Sequence, residues 1–435
     1  MFTMLIRKGY KFRLKTCNDE EHKLSQFAGC CRFVWNKALA LQDSLFQAED
    51  EKILTKTKLL NLLPEWKSEH LFLKETHSQI LQQSLIDLDR AYQNFFRRLK
   101  QGEDPGYPRY KKKFVHDSFR FPQGFKFENR HVYLPKLGWF RFYKSQSIQG
   151  IVKNVTVSRR GKYWYISAQV EQEAPVKSCI TGSKAYLTGQ APDPMPAQKP
   201  SVGIDMGVAR FCTLSDGSFY DPLNSFKKLS KKLARLQRSL ARKVKFSQNW
   251  KKAKARITRM HEKIADVRRD YLHKLSRLIA ERFGFVVVED LLVKNMSASA
   301  KGTVENPGKN VKAKSGLNRS ILDQGWSEFF RQLEYKLTWA GGWLERINPC
   351  NTSKTCPVCG YVDKKNRRTQ SRFRCVKCLF EGNADHVAAI NIHTAGHAEI
   401  KRSSWQKPDC NACGDGRPSK KQEPAGNGDI VPALA

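Results

Sequence analysis

Three acidic residues stand where acids are costly. Asp205 lies in "SVGIDMGV", flanked by Val202, Ile204 and Val208. Glu289 lies at the end of "FVVVED", and Asp385 stands before "HVAAINI", a short apolar helix pattern. An acid in an apolar β-run is expensive to bury unless it is paired or binds a metal. Each has an ordinary reading when taken singly. Glu289 can be a strand end at the solvent edge, and Asp385 can be a helix N-cap. Gathered in one place, three hard carboxylates suit two Mg²⁺ ions about 3.5–4 Å apart, one activating a water and the other stabilising a leaving 3′ oxygen. That chemistry is phosphodiester hydrolysis.

A second set is made of sulfur. "CPVCG" and "CVKC" place Cys356, Cys359, Cys375 and Cys378 as Cys-x2-Cys, fifteen residues, Cys-x2-Cys. Each pair puts two thiolates on one side of a tight turn, and two such turns make a tetrahedral site for zinc, in preference to disulfides or free thiols. Four protein ligands leave no open position, so this zinc is structural. "CNAC" (Cys410, Cys413) stands alone in a polar tail and completes no site. Cys17, Cys30, Cys31, Cys179, Cys212 and Cys350 read as packing or incidental thiols.

The charge balance says what the partner is. Among 435 residues, 78 Lys and Arg face 41 Asp and Glu, a net charge of +37. The excess runs along nearly the whole chain, so one solvated face does not explain it, and a polyanion that neutralises it releases counterions. No amphipathic anchor, lipidation signal or membrane-spanning run is visible, and the N-terminus lacks a signal-peptide apolar region. The expectation is an intracellular nucleic-acid binder with no membrane partner.

The elements that must position these residues follow from periodicity. Residues 1–16 read as a strand, with Tyr10, Phe12 and Leu14 alternating with Lys11 and Arg13. From Asn18 to Lys100 the pattern is helical, with Leu24, Phe27, Cys31, Val34, Ala38 and Leu41 on one stripe and Leu81, Leu85, Leu88, Tyr92, Phe95 and Leu99 on another. Residues 114–171 switch to period two, including a hairpin turning at Arg160-Gly161. A strand, a helical block and more strands suggest a small β-barrel with a helical insertion. The Gly/Pro-rich stretch 177–200 reads as a linker. Beyond it, "VGIDMGVARFCTLSDGSFY" reads as two strands of a hairpin. Residues 225–281 read as two long basic helices interrupted near Ser247. "FGFVVVEDL" is a buried strand, and 296–318 is Ser/Gly/Lys-rich and expected to be mobile. "ILDQGWSEFFRQLEYKLTWAGGWL" reads as one helix, and the tail after Arg402 as disordered. A strand Asp, a hairpin, a strand Glu and a helix-start Asp is the order in which an RNase H-like fold gathers acids at one sheet edge.

"GIDMGV", "VVVEDL", "CPVCG…CVKC" and "ADHVAAINI", in that order, resemble the RuvC-like nuclease domain of TnpB proteins, which insertion sequences encode and which are related to type V CRISPR effectors. "GYPRYKKK", "LPKLGW" and "AYQNFF" are similar to that family's N-terminal half, so the resemblance covers roughly residues 5–400. It implies an α/β multi-domain chain. An N-terminal wedge β-barrel (1–16 and 114–176) would carry a helical recognition lobe (17–113). After the linker would come an RNase H-like (RuvC) nuclease (201–350 and 379–400) with an inserted zinc ribbon (351–378) and a tail (401–435).

The resemblance implies an RNA-guided DNA endonuclease of a transposable element. Its partners would be a guide RNA from the transposon end and a double-stranded DNA target bearing a short adjacent motif. It would work in the cytoplasm of a bacterium or archaeon, associated with the nucleoid. Asp205, Glu289 and Asp385 would be the catalytic acids and magnesium ligands, with Cys356, Cys359, Cys375 and Cys378 on zinc. Gln82 falls where the family has a residue thought to read the adjacent motif. Arg109, Lys111 and Lys112 in "YPRYKKKF", with the basic helices at 225–281, would contact nucleic-acid backbone. One departure is Val387, which stands where the family usually has Asn two residues after the last acid. A guided repressor that has lost cleavage is a competing reading, which the presence of all three acids opposes. A DNA-joining transposase is another, disfavoured by the Cys ribbon between Glu289 and Asp385.

Overall fold

The computed structural model describes residues 3–47, 54–115, 117–175 and 199–405. Strand β1 (Thr3–Lys15) shows the expected alternation, with Ile6, Tyr10, Phe12 and Leu14 buried and Arg7 and Lys11 exposed. Helix α1 (Asn18–Gln47) follows, then the short helices α2 (Lys56–Asn61), α3 (Leu63–Glu69) and α4 (Phe72–Glu75), and the longer α5 (Ser78–Lys100). Leu24, Phe27, Cys31, Val34 and Ala38 of α1 are buried together with Leu81, Leu85, Leu88 and Tyr92 of α5. The 3.6-residue stripe therefore faces where the spacing puts it.

Six strands complete the N-terminal sheet: β2 (Ser118–Phe121), β3 (Lys126–Glu128), β4 (His131–Leu134), β5 (Gly138–Phe142), β6 (Ile151–Arg160) and β7 (Tyr163–Pro175). Their order is β2-β6-β7-β1-β5-β4-β3, all antiparallel. The edges β2 and β3 do not pair with one another among the described residues, so the strand pairings give an open sheet, not a closed barrel. The β6–β7 hairpin turns at Gly161, whose φ of +57° a glycine adopts without strain.

The second body begins with β8 (Ser201–Met206), β9 (Cys212–Leu214) and β10 (Phe219–Tyr220), a three-strand meander where two strands were expected. Helices α6 (Ser225–Ala241) and α7 (Gln248–Arg282) follow. The expected interruption is the N-cap of α7, where the Ser247 hydroxyl accepts from the Trp250 amide at 3.1 Å. Next come β11 (Phe285–Glu289), α8 (Val293–Met296), α9 (Val311–Gln324), α10 (Trp326–Trp339) and β12 (Trp343–Ile347). The chain then enters the Cys ribbon with β13 (Arg372–Arg374) and β14 (Glu381–Asn383), and ends in α11 (Ala384–Trp405). The sheet order is β10-β9-β8-β11-β12, with β8, β11 and β12 mutually parallel.

Within 296–318, residues 311–318 form the start of α9. The single helix expected from Ile321 is two helices broken at Gly325, φ +75°, and ends before β12. Asp323 explains why α9 is held. Its buried carboxylate accepts from the Ser225 hydroxyl at 3.1 Å and from the amides of Phe226 and Lys227 at 3.0 and 3.3 Å, capping α6 from a distant helix. The linker 177–200 lies almost wholly outside the described residues, as do the tail beyond Trp405 and Cys179, Cys410 and Cys413. Among the described residues no helix is long and apolar enough to cross a membrane.

The two faces of the second sheet have different work. Val202, Ile204, Val286 and Val288 face a core shared with Leu272, Leu275 and Ile279 of α7 and Phe329, Leu333 and Leu337 of α10. Val287 and Ile347 face the other way, onto Ile392 of α11.

Candidate active site and four-cysteine cluster

Strand register puts two of the acids side by side. Ile204 pairs with Val288 in the parallel β8–β11 ladder, and Asp205 and Glu289 are each one residue further on. Both therefore lie at the carboxyl ends of neighbouring strands and on the face opposite the Ile204–Val288 core. That is the face α11 covers, and two glycines allow it to come close. A Cβ on Gly203 would lie 2.3 Å from the Ala389 carbonyl oxygen and 2.5 Å from the His393 amide. A Cβ on Gly396 would lie 2.5 Å from both methyls of Val287. Small residues on strand and helix thus let α11 lie directly on β8 and β11, and its first turn carries Asp385.

Asp385 is not the cap of that helix. Asn383 is: its Oδ1 accepts from the amides of Asp385 and His386 at 3.1 and 3.2 Å. The Asp385 carboxylate is left free of capping and instead meets Arg367, Nη2 to Oδ1 3.5 Å. Asp205 feels the other two acids. Burial first, then the charges of Glu289 and Asp385, push the Asp205 carboxyl up to about 8, and Arg367 pulls it back. Burial also raises Glu289, against a hydrogen bond from Thr352 and the charge of Arg367. Carboxyls whose pKa values are raised by burial and by neighbouring charge ionise more readily beside a cation.

The side chains behind Glu289 escaped the sequence reading. Thr352 Oγ1 donates to Glu289 Oε1 at 2.6 Å, and Asn391 Nδ2 donates to the carbonyls of Thr352 and Thr355 at 2.7 and 2.8 Å. Asn391 lies in the "ADHVAAINI" motif, six residues after the acid. Val387, two residues after the acid, has a different neighbourhood. It is 1% exposed and packs with Cys356, Phe373, Cys375, Ala384 and Phe380, the small core of the ribbon.

The four ribbon sulfurs all lie within 4.8 Å of one another, with Cys356–Cys378 at 3.5 Å and Cys359–Cys375 at 3.6 Å. Tetrahedral Zn–S bonds of about 2.3 Å place sulfurs roughly 3.8 Å apart, so the cluster fits zinc. Among the described residues it is the one group of three or more His, Cys, Asp or Glu side chains this tightly drawn. Backbone amides of Lys377 and Cys378 point at Cys375 Sγ at 3.4 and 3.5 Å. The buried Asn366 ties both turns, donating to the Lys354 and Tyr361 carbonyls and accepting from the Val376 amide. Of the other thiols, Cys30, Cys31 and Cys212 are buried, and Cys17 and Cys350 are exposed.

The remaining expected contacts lie in the N-terminal half. Gln82 is exposed on α5. Arg109 and Lys112 are exposed, on a segment pinned to α1 by Trp35 Nε1 donating to the Arg109 carbonyl at 3.1 Å. Lys111 is partly buried over the Trp35 ring, 3.7 Å from its centroid, and burial lowers its pKa, so it is a packing cation as much as an available one.

Comparison with known proteins gives concordant matches. A family model described as "Probable transposase" matches residues 168–300, a "Cas12f1-like, TNB domain" matches 326–392, and a "Helix-turn-helix domain" matches 4–51. The described part of that last range is a strand followed by one long helix. The chain is 47% identical over 425 residues to "Putative RNA-guided DNA endonuclease InsQ" of Escherichia coli K12, covering 96% of this chain and 97% of the relative. It is 32% identical over 428 residues to a Streptomyces pristinaespiralis protein of the same description, covering 96% of each. Its fold is similar to that of Cas12f1 solved with its guide RNA and target DNA, at a TM-score of 0.51, 15% identity, and coverage of 89% of this chain and 99% of that one. With such identity across nearly its whole length, this chain belongs to the TnpB (OrfB) family of transposable-element proteins.

Proposed function

We propose that this protein is an RNA-guided DNA endonuclease that hydrolyses phosphodiester bonds at Asp205, Glu289 and Asp385. The observation that carries the reading is the strand register that sets Asp205 and Glu289 side by side at the carboxyl ends of β8 and β11, with α11, whose first turn holds Asp385, packed on the same face. The sheet order β10-β9-β8-β11-β12 supports an RNase H-like (RuvC) nuclease, and relatives named RNA-guided DNA endonucleases support the guided activity. The three carboxylates would hold Mg²⁺, which supplies water activation and charge neutralisation at the leaving oxygen. The chain's own residues position that set. Asn391 and Thr352 orient Glu289, Asn383 leaves Asp385 free by capping α11, and the ribbon delivers Arg367 to the site. Zinc in the ribbon would be structural.

On this reading the N-terminal sheet (1–16 and 114–176) is the wedge, and the helices of 17–113 are the recognition lobe bearing Gln82, Arg109, Lys111 and Lys112. Residues 201–350 and 379–400 are the nuclease, 351–378 the ribbon, 177–200 the linker and 401–435 the tail. The guide RNA comes from the transposon end, and the protein meets its DNA at the nucleoid. The net charge of +37 suits a protein that holds a heteroduplex by phosphates while base pairing reads the sequence. The test is to sequence the RNA that purifies with the protein and offer the complex a matched duplex with Mg²⁺. A discrete RNA ending in variable sequence, with guide-dependent cutting, is expected. Random RNA and no cutting would overturn the reading.

A further inference from the structure

We propose that the helical hairpin of α6 and α7 is a docking surface for a single-stranded part of the RNA the protein carries, with Phe246 stacking an unpaired base and Arg235, Arg238 and Arg242 holding phosphates. The inference rests on the guided reading above and adds to it a place and a mode of contact.

Residues 225–260 contain fourteen Lys and Arg and no Asp or Glu. None of the fourteen is in an ion pair among the described residues, and the carboxylate pairs of α7 begin only at Asp266. Arg235, Arg238, Ser239 and Arg242 repeat at helical spacing, and with Lys243 they line an open pocket of about 480 Å³. A pocket walled by four cations and a hydroxyl attracts anions.

The tip adds an independent sign. Val244 and Phe246 are 79% and 65% exposed where the chain turns between the helices. Phe246 has φ +68°, a left-handed conformation that a bulky residue adopts only when the surroundings hold it there. Its ring lies 5.5 Å from that of Trp250 at 56°, with Lys245 over Phe246 at 5.3 Å and Lys254 over Trp250 at 5.0 Å. Beyond these contacts the ring is left largely in solvent at a strained tip. Aromatic faces between cations are the contacts that hold single-stranded nucleic acid.

RNA is favoured over DNA by persistence. The fourteen charges have no ion-pair partner among the described residues; a carried RNA gains the release of their counterions for as long as the protein holds it, and a DNA target only while it is engaged.

The experiment uses the full chain in two arms. Ultraviolet crosslinking of the protein with its copurified RNA, read by peptide mass spectrometry, should place a nucleotide adduct on the peptide containing Phe246 and Trp250. RNA-free protein titrated with unstructured RNA should bind roughly tenfold more weakly as Phe246→Ala, with binding restored by Phe246→Tyr. Replacing Arg235, Arg238 and Arg242 with Gln should lower the slope of log affinity against log salt by about 2, at ~0.7 per phosphate contact on a single strand. All variants alter exposed positions, and an unchanged unfolding temperature controls for the fold. If a discrete RNA copurifies but crosslinks elsewhere and both variants bind normally, the hairpin proposal fails and the guided reading stands. If no discrete RNA copurifies yet the oligonucleotide crosslinks at the tip, the site stands and the guided reading fails. Crosslinking to single-stranded DNA alone, or binding to anionic lipid vesicles and not to RNA, would overturn the assignment of the partner.

Discussion

The Thr352 hydroxyl donates to Glu289 Oε1 at 2.6 Å, and the Thr352 carbonyl accepts from Asn391 of α11 at 2.7 Å. The helix that carries Asp385 therefore also fixes the direction of Glu289. Thr352→Val keeps the shape and removes the donor. Cleavage by the guided complex should fall roughly 10- to 100-fold with guide and target binding unchanged, since the loss of one hydrogen bond to a charged group is on the order of 1.5–3 kcal/mol. A parallel loss of binding would make Thr352 a folding residue and not a positioning one.

Gly203 should tolerate nothing larger. A methyl there meets backbone atoms of α11 at 2.3 and 2.5 Å, and neither can rotate away. Gly203→Ala should destabilise the nuclease body by about 3 kcal/mol, seen as a lower denaturation midpoint with an unchanged slope. Wild-type stability would mean that α11 does not sit on β8 as described.

Metal-free stability should depend on pH through Asp205. Its folded value of about 8 lies above the ordinary aspartate range, so between the two the folded state holds a proton that the unfolded state has lost. Stability from this group is therefore full at low pH and declines as pH rises toward 8. In Asp205→Asn that decline should be smaller, because the titrating group is gone. Calorimetry of both metal-free proteins at about pH 6 and pH 8 decides it. An identical pH dependence in the two proteins would show that Asp205 is not held up by burial and its neighbours.

Val387 should not be improved by restoring the residue usual in the family. It is packed among Cys356, Phe373 and Cys375 under the cluster that fits zinc. Val387→Asn places an amide in that apolar core, at a cost of about 1–3 kcal/mol unless it finds a partner. The expected result is a lower unfolding temperature, easier loss of zinc to a chelator and no gain in cleavage rate. Faster cleavage at unchanged stability would return this position to the active site.

How far the sequence led depends on whether a residue's role is local. The alternation of Tyr10, Phe12 and Leu14 and the helical stripe through Leu81, Leu85 and Leu88 were legible because burial follows period. The Cys spacing was legible because a turn fixes it. Asp385 was legible as a special acid but misread as a possible cap, because Asn383 competes for the same amides two residues earlier. Thr352, Asn391 and Arg367 were not legible at all. Their roles exist only after the ribbon folds against α11, and no local pattern marks a contact between residues 289 and 352. Helix α9 was hidden in the same way, since Asp323 is satisfied by α6, far back in the chain.

The central claim is that the acids at the carboxyl ends of β8 and β11 and in the first turn of α11 form one hydrolytic site. The most direct measurement is Mg²⁺-dependent cutting of a matched duplex by the guided complex carrying Asp205→Ala, beside a binding assay on the same preparation. The account predicts target binding within about twofold of wild type and cleavage lowered by at least ~10³-fold, the scale of losing a group that acts directly on the transition state. Cutting at the wild-type rate by a folded, RNA-loaded Asp205→Ala protein would contradict it.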